Sequence, residues 1–311
     1  MILDFNQLND QSIPSAEFCI VGAGPAGITL ALELGHNNRS VLLLEGGGRE
    51  FSEESQDVYV SDVVGDPLAL DLEFARLRYT GGSSGHWTGK CRPLDAIDFK
   101  KKISFGDAHW PIEKTDIDPY LDQASSILNL SQVKVDASLG PGSGIKEIDF
   151  SISTPIVRFG DKYREEISQS KNITLVENAN LTNLGLDEQR VSSARIENYQ
   201  GNKTDVEALH FVLAMGGIEN SRILKWCNEN SKGRLIDHRS PLGRYWMVHP
   251  SEYVADALVD SDLLHNRILG LTEEVQQQLS VLNLHLWLEP TGYADTKKLL
   301  KDLLCVAPKI G

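Results

Sequence analysis

The sequence predicts an α/β fold in which a parallel sheet carries an antiparallel meander, and three observations predict it. Phe18 to Val21 and Val41 to Leu44 are short apolar runs of the kind buried parallel strands show, and Ile28 to Leu34 between them repeats apolar residues at helical spacing. From Asn172 the pattern turns to consecutive strands, Ile173 to Val176, Leu181 to Leu186, Val191 to Glu197 and Val206 to Leu213, with turns at Asp187-Glu188-Gln189 and Gln200-Gly201-Asn202. Three of these make the meander. The last strand runs into Ala214-Met215-Gly216-Gly217 and a helix from about Glu219 to Glu229, a second succession of strand, glycine turn and helix.

The first such succession is the stretch Ile20-Val21-Gly22-Ala23-Gly24-Pro25-Ala26-Gly27. Gly22 permits a tight turn, Gly24 lets backbone approach a pyrophosphate, and Gly27 lets the helix pack closely on the strand. Amides at the helix N-terminus, where Pro25 and Ala26 stand, then face the phosphates. Glu45 ends the second strand eighteen positions after Gly27, where a carboxylate accepts hydrogen bonds from an adenosine ribose and disfavours a 2′-phosphate. These pieces name a dinucleotide, FAD or NAD. One βαβ unit, a long excursion opened by Gly46-Gly47-Gly48, a meander and a return strand ending in Ala214-x-Gly216 suit a FAD domain better than an NAD dehydrogenase, whose βαβ units usually follow one another.

At 311 residues the chain is long enough for two domains or one large α/β domain, and 41% apolar with 24% charged residues is the balance of a soluble globular protein. A net charge of −14 argues against a nucleic-acid surface or a polybasic membrane anchor. Cys19, Cys91, Cys227 and Cys305 lack C-x-x-C spacing, and no histidine falls in a ligand pattern, so neither a metal site nor a disulfide framework is indicated and buried free thiols are expected. No signal peptide or apolar run of about 20 residues occurs, so the expected location is cytoplasmic with no membrane segment. Between the two glycine turns the sequence suggests a short helix over Ala69 to Leu77, a helix from near Asp116 with Tyr120, Leu121, Ala124, Ile127 and Leu128 on one packed face, and a loop at Gly140-Pro141-Gly142-Ser143-Gly144. Helices are expected at 272 to 286, capped by Thr272, and at 294 to 305.

The loop Thr80-Gly81-Gly82-Ser83-Ser84-Gly85-His86-Trp87-Thr88-Gly89-Lys90-Cys91-Arg92-Pro93 is the second chemical signal. Its glycines let backbone lie against a flat ligand, its hydroxyls and amides hydrogen-bond a polar ring edge, and His86-Trp87 adds a nucleophilic nitrogen beside an apolar plate. A flavin is such a ligand. Together with the first turn, Glu45, the stretch from Leu213 through Ala214-Met215-Gly216-Gly217-Ile218-Glu219-Asn220 to Leu224, and Pro241-Leu242-Gly243-Arg244 to His249-Pro250, this loop resembles the glucose-methanol-choline family of FAD-dependent oxidoreductases over residues 18 to about 250.

The resemblance implies a FAD-binding Rossmann-like domain over residues 1–250, with an insertion around 95–160 on the substrate side, and the beginning of a substrate-binding α+β domain over 251–311. The implied reaction is oxidation of the CH–OH group of an alcohol or sugar by hydride transfer to flavin N5, with the electron acceptor unreadable. Trp87 stands where the family's loop carries Asn, and this version resembles the loop of pyranose 2-oxidase and its bacterial relatives, whose His is joined to the flavin 8α-methyl. His86 is then either a covalent flavin link or a histidine packed beside the isoalloxazine. The resemblance further places Gly82, Ser83 and Thr88 at the flavin, Thr88 near N5, and the backbone of Leu181, after Asn178-Ala179-Asn180, at the adenine.

Family members take the hydroxyl proton with a His paired with a second His or Asn near the C-terminus of much longer chains, and nothing in 251–311 matches. No catalytic base is assigned within the chain; it is expected downstream of Gly311, the sequence reading as the N-terminal part of a longer oxidoreductase. The alternative is a catalytically incomplete flavin-binding fragment or subunit that needs a second chain. Gly106-Asp107-Ala108-His109 resembles the flavin-ribityl motif of aromatic hydroxylases but lies early in the chain and precedes Trp110-Pro111 rather than a helix. His249 reads as a structural His-Pro, with catalysis as its other reading; His285, alternating with Leu284, Leu286 and Leu288, reads as structural, and Lys100-Lys101-Lys102 as solvated surface.

Overall fold

The computed structural model describes residues 1–8, 13–64, 72–100, 109–131, 136–139, 142–188, 190–247, 252–256 and 268–288. In chain order the elements are β1 (Ile2–Asp4), β2 (Ala16–Val21), α1 (Pro25–His36), β3 (Val41–Leu44), α2 (Glu53–Gln56), β4 (Lys90–Cys91), α3 (Lys114–Ile117), α4 (Leu121–Ile127), β5 (Ala137–Ser138), β6 (Ile145–Ile148) and β7 (Ser151–Ile152). There follow α5 (Phe159–Lys162), α6 (Arg164–Gln169), β8 (Ile173–Glu177), β9 (Asn180–Asp187), β10 (Arg190–Glu197), β11 (Lys203–Leu213), α7 (Gly217–Asn230), β12 (Ile268–Leu271), α8 (Glu273–Leu279) and β13 (His285–Trp287). They fall into two compact units, residues 1–88 with 157–251, and residues 89–156 with 252–311.

In the first unit a seven-stranded sheet runs β1-β8-β3-β2-β11-β10-β9. Every pair from β1 to β11 is parallel, and β11, β10 and β9 are the expected antiparallel meander. β11 belongs to both halves: Lys203–Glu207 pair with β10, and Ala208–Leu213 with β2. All four residues of β3 are buried, as befits a strand covered on both faces, so its sequence is a continuous apolar run with no alternation. On one face Cys19, Val21, Leu42, Leu44 and Val176 share a core with Leu181, Leu184, Ala194, Ile196 and Val206 of the meander and Ile223 and Cys227 of α7. On the other face α1 covers β3 and α6 covers β8, burying Ile28, Ala31 and Ile167 over Leu43 and Leu175. Each such side chain contributes about 1.5–3 kcal/mol relative to exposure.

The second unit holds a four-stranded antiparallel sheet, β13-β12-β6-β5, and the β4–β7 pair. Several expectations are corrected here. The helix expected over 272–286 ends at Leu279, where Ser280 turns into the left-handed region, and His285–Trp287 form an edge strand; Leu282, Leu284 and Leu286 recur at two-residue spacing, which is a strand period. The helix expected from Asp116 is α3 and α4 joined by a 3-10 turn at Asp118–Tyr120, because Pro119 has no N–H for a continuous helix. Neither piece fully buries a residue: of the expected face Leu121, Ile127 and Leu128 are half-buried, and Tyr120 and Ala124 are exposed. Residues 72–77 are not helical. Ala69, Gly106 to Ala108, Gly140, Pro141, His249, Pro250, 294–305 and Cys305 lie outside the described residues.

Among the described residues Cys19, Cys91 and Cys227 are free thiols, no group of His, Cys, Asp and Glu could hold a metal, and no helix is long and apolar enough to cross a membrane. Burial pushes the Cys19 thiol up to about 12, so it stays an inert core group.

Candidate functional site

Two glycine turns lie side by side where β2 and its parallel neighbour β11 end. Gly22 takes φ +103, and a Cβ there would stand 2.7 Å from the Ala214 carbonyl oxygen. The Ala214 amide donates to Val21 at 2.7 Å, which locks the turns together. Asn220 holds the second turn, accepting from Met215 N–H at 3.0 Å and donating to the Leu213 carbonyl at 3.1 Å. Gly27 is pressed onto the first turn so closely that a Cβ would lie 1.9 Å from the Gly22 oxygen.

The ligand-facing glycines behave differently. Gly24 caps α1 ahead of Pro25, and Gly216, at φ +84, caps α7. A Cβ at Gly24, Gly216 or Gly217 would meet nothing within 4 Å, and Pro25 and Ala26 are exposed. Both turns thus present uncovered backbone at helix N-termini, where unpaired N–H groups and roughly half a positive charge each favour an anion.

Glu45 directly follows β3 and is 7% exposed. Its two oxygens accept from the amides of Ala23 at 2.8 Å and Gly47 at 2.9 Å, so it braces the first glycine turn. A carboxylate has about four acceptor positions, and two are used. Nearby, burial followed by the Glu45 charge pushes the Tyr59 hydroxyl up to about 12. Gly46 is covered by protein, since a Cβ there would lie 2.1 Å from Arg78 Nη2.

The Gly81–Thr88 loop folds onto the first turn. The Gly81 amide donates to the Ala23 carbonyl at 2.8 Å, and a Cβ on Gly82 would lie 3.3 Å from Gly24 Cα. Thr80 donates to buried Glu177 at 2.7 Å, and Arg164 pairs with the same carboxylate at 2.8 Å. Ser83 accepts from Leu77 N–H, and Ser84 donates to the Gly81 carbonyl at 2.7 Å and accepts from Phe159 N–H at 3.0 Å. Arg158 Nη1 donates to the carbonyls of Ser84 and Trp87, and the Trp87 indole donates to Val157 at 2.8 Å. His86 and Thr88 are exposed.

The structure therefore joins Gly22, Gly24, Gly27, Glu45, Gly82, Ala214 and Gly216 in one cradle. Leu181 lies in β9 with its side chain in the core, next to a bulge where Ile196 pairs with Leu181 and Arg195 with Asn183. Sequence reasoning missed Arg78, Arg158, Glu177 and Asn220. Asn220 carried a signal, a short amide side chain in the first turn of a helix opened by glycines; the others act on partners distant in sequence and carried none.

No protein-family model matches the chain. It is 26% identical over 154 residues to 2-methyl-1,2-propanediol dehydrogenase of Mycolicibacterium austroafricanum, covering 43% of this chain and 28% of that protein. Among solved structures it is similar to pyridoxine 4-oxidase from Mesorbium loti (19% identity, TM-score 0.43, 67% of this chain and 50% of that one) and to a FAD-dependent oxidoreductase from Chaetomium thermophilum (17%, 0.47, 68% and 47%). It spans half or less of each relative's length.

Proposed function

We propose that the first unit binds FAD and that the chain carries the cofactor-holding part of an oxidoreductase of glucose-methanol-choline type, acting on the CH–OH group of an alcohol or sugar. The observation that carries this is the cradle: two adjacent helix N-termini open at Gly24 and at Gly216-Gly217, with the Gly81–Thr88 loop hydrogen-bonded across the first. A pyrophosphate fits uncovered backbone amides, and the free acceptor positions of Glu45 suit a ribose. When bound, the flavin supplies N5 as the hydride acceptor. Gly82, Ser83, Trp87 and Thr88 border it in this reading, with Arg158 and Ser84 keeping the loop in shape. Exposed His86 is the candidate for a covalent link, and the Leu181 backbone for the adenine. In this reading the insertion around 95–160 contributes to substrate binding.

No residue of the chain is given the role of base. A cytoplasmic setting agrees with free Cys19, Cys91 and Cys227.

Reconstitution with FAD, removal of excess, and acid precipitation test the cofactor and its linkage. A visible flavin spectrum after removal of excess supports the reading, and its absence overturns it. Flavin retained in the acid pellet of the wild type but not of His86→Ala establishes the covalent link; flavin wholly in the supernatant ends that part.

A further inference from the structure

Arg76 and Arg78 lead into the loop two residues apart and are treated in opposite ways. Arg76 pairs with buried Glu219 at 2.9 Å, which Arg222 shares at 2.7 Å, and its guanidinium lies 3.9 Å over the Tyr59 ring. Arg78 has no such compensation. Its Nη1 donates to the Tyr199 hydroxyl at 2.7 Å and to Ser55 Oγ at 3.1 Å, and its Nη2 to Asn180 Oδ1 at 2.7 Å, all neutral groups. Among the described residues it makes no ion pair within 4.0 Å. A half-buried cation held only by neutral partners keeps its charge free for an anion, which would pair with it more strongly than water does.

The placement says which anion. Arg78 lies against Gly46, directly after Glu45, and its anchors come from Asn180 at the start of β9 and Tyr199 after β10. That is the corner of the cradle beside the end of β3. Three of its five donors are used, so Nε–H and one Nη2 hydrogen remain for a ligand, and the anchors fix the fork before the ligand arrives.

We infer that Arg78 is a further ligand-holding residue of the cradle, donating to the phosphate of the adenylate half of the dinucleotide. The inference rests on the FAD reading. Its test is titration of FAD, AMP and FMN into the intact wild-type chain, Arg78→Gln and Arg78→Lys, with thermal unfolding recorded for each. Arg78→Gln should weaken FAD and AMP by about 10- to 100-fold, the usual range for a lost charged hydrogen bond, with Arg78→Lys recovering part and FMN unchanged. Wild-type affinity for FAD and AMP in Arg78→Gln overturns the inference and leaves the FAD reading standing; an equal loss for FMN overturns the adenylate assignment. If Arg78→Gln fails to fold, Tyr199→Phe, which loosens the fork and keeps its charge, should weaken AMP by about 3- to 10-fold, and unchanged AMP affinity there overturns it. A wild type that takes up neither FAD nor AMP overturns the FAD reading and this one with it.

Discussion

Two glycines three positions apart in one motif should answer substitution in opposite ways. At Gly27 an alanine methyl would stand 1.9 Å from the Gly22 carbonyl oxygen, so backbone must move. Gly27→Ala should cost about 1–3 kcal/mol or more in urea unfolding, with flavin uptake lost alongside. At Gly24 the methyl meets nothing and the backbone is extended, so Gly24→Ala should unfold within about 0.5 kcal/mol of wild type yet bind FAD more weakly. Equal destabilisation of the two variants would contradict this division. Glu45→Gln replaces an acceptor of two amides with a group that has only one acceptor oxygen, leaving an N–H of Ala23 or Gly47 facing another donor; a loss of about 1–3 kcal/mol is expected by denaturant titration.

Elements differ in how openly the sequence announced them. Apart from β1, which was not anticipated, the strands of the first unit were legible to within about three residues, because β2, β3 and β8 are apolar runs and the meander is punctuated by turns at Asp187 and Gly201, and the glycine turns were legible because Gly22 and Gly27 have no room for a side chain. The second unit was not. β6 reads Ile-Lys-Glu-Ile, which has no period of its own, and the partner that pairs along its whole length is β12, more than a hundred residues later. Thr80 with Glu177 and Arg158 with Ser84 were hidden for the same reason.

That second sheet also carries a pH dependence. Burial resists ionisation of Asp95 and Asp136, but the Asn283 amide with Arg92 and Lys146 for Asp95, and Arg92 with Lys146 for Asp136, overcome it and hold both below the usual 3.8. Burial first, then Arg92, lowers His285, whose ring meets Phe150 edge-on at 5.8 Å. All three are depressed in the folded state, so their stabilisation is present above the unfolded values and lost as pH falls. Denaturant titration from pH 8 to 3 should show stability declining below about 6.5 through His285 and again below about 3.8 through the aspartates. His285→Phe should flatten the upper step; a curve unchanged by it would refute that assignment.

Across the whole molecule, a ligand that binds only the folded state adds stability by mass action, about 2.7 kcal/mol at a hundred times Kd. Saturating FAD should therefore slow hydrogen exchange in β2, α1, β11 and the first turn of α7, where the two turns lock together, and unchanged protection there would place the cofactor elsewhere. The net charge of −14 opposes no part of this, because in the proposed reading the anion would be received by oriented amides and Arg78 rather than by bulk charge.

β11, shared between the parallel sheet and the meander, also sets a timetable. The partner of β2 along one edge, Ala208–Leu213, is made about 190 residues after β2 itself. At roughly 5–20 residues per second, one side of the central strand stays unpaired for some 10 to 40 s of synthesis. The nascent chain thus carries an open apolar strand edge until Ala208–Leu213 has been made, which is the kind of transiently unpaired edge that invites aggregation.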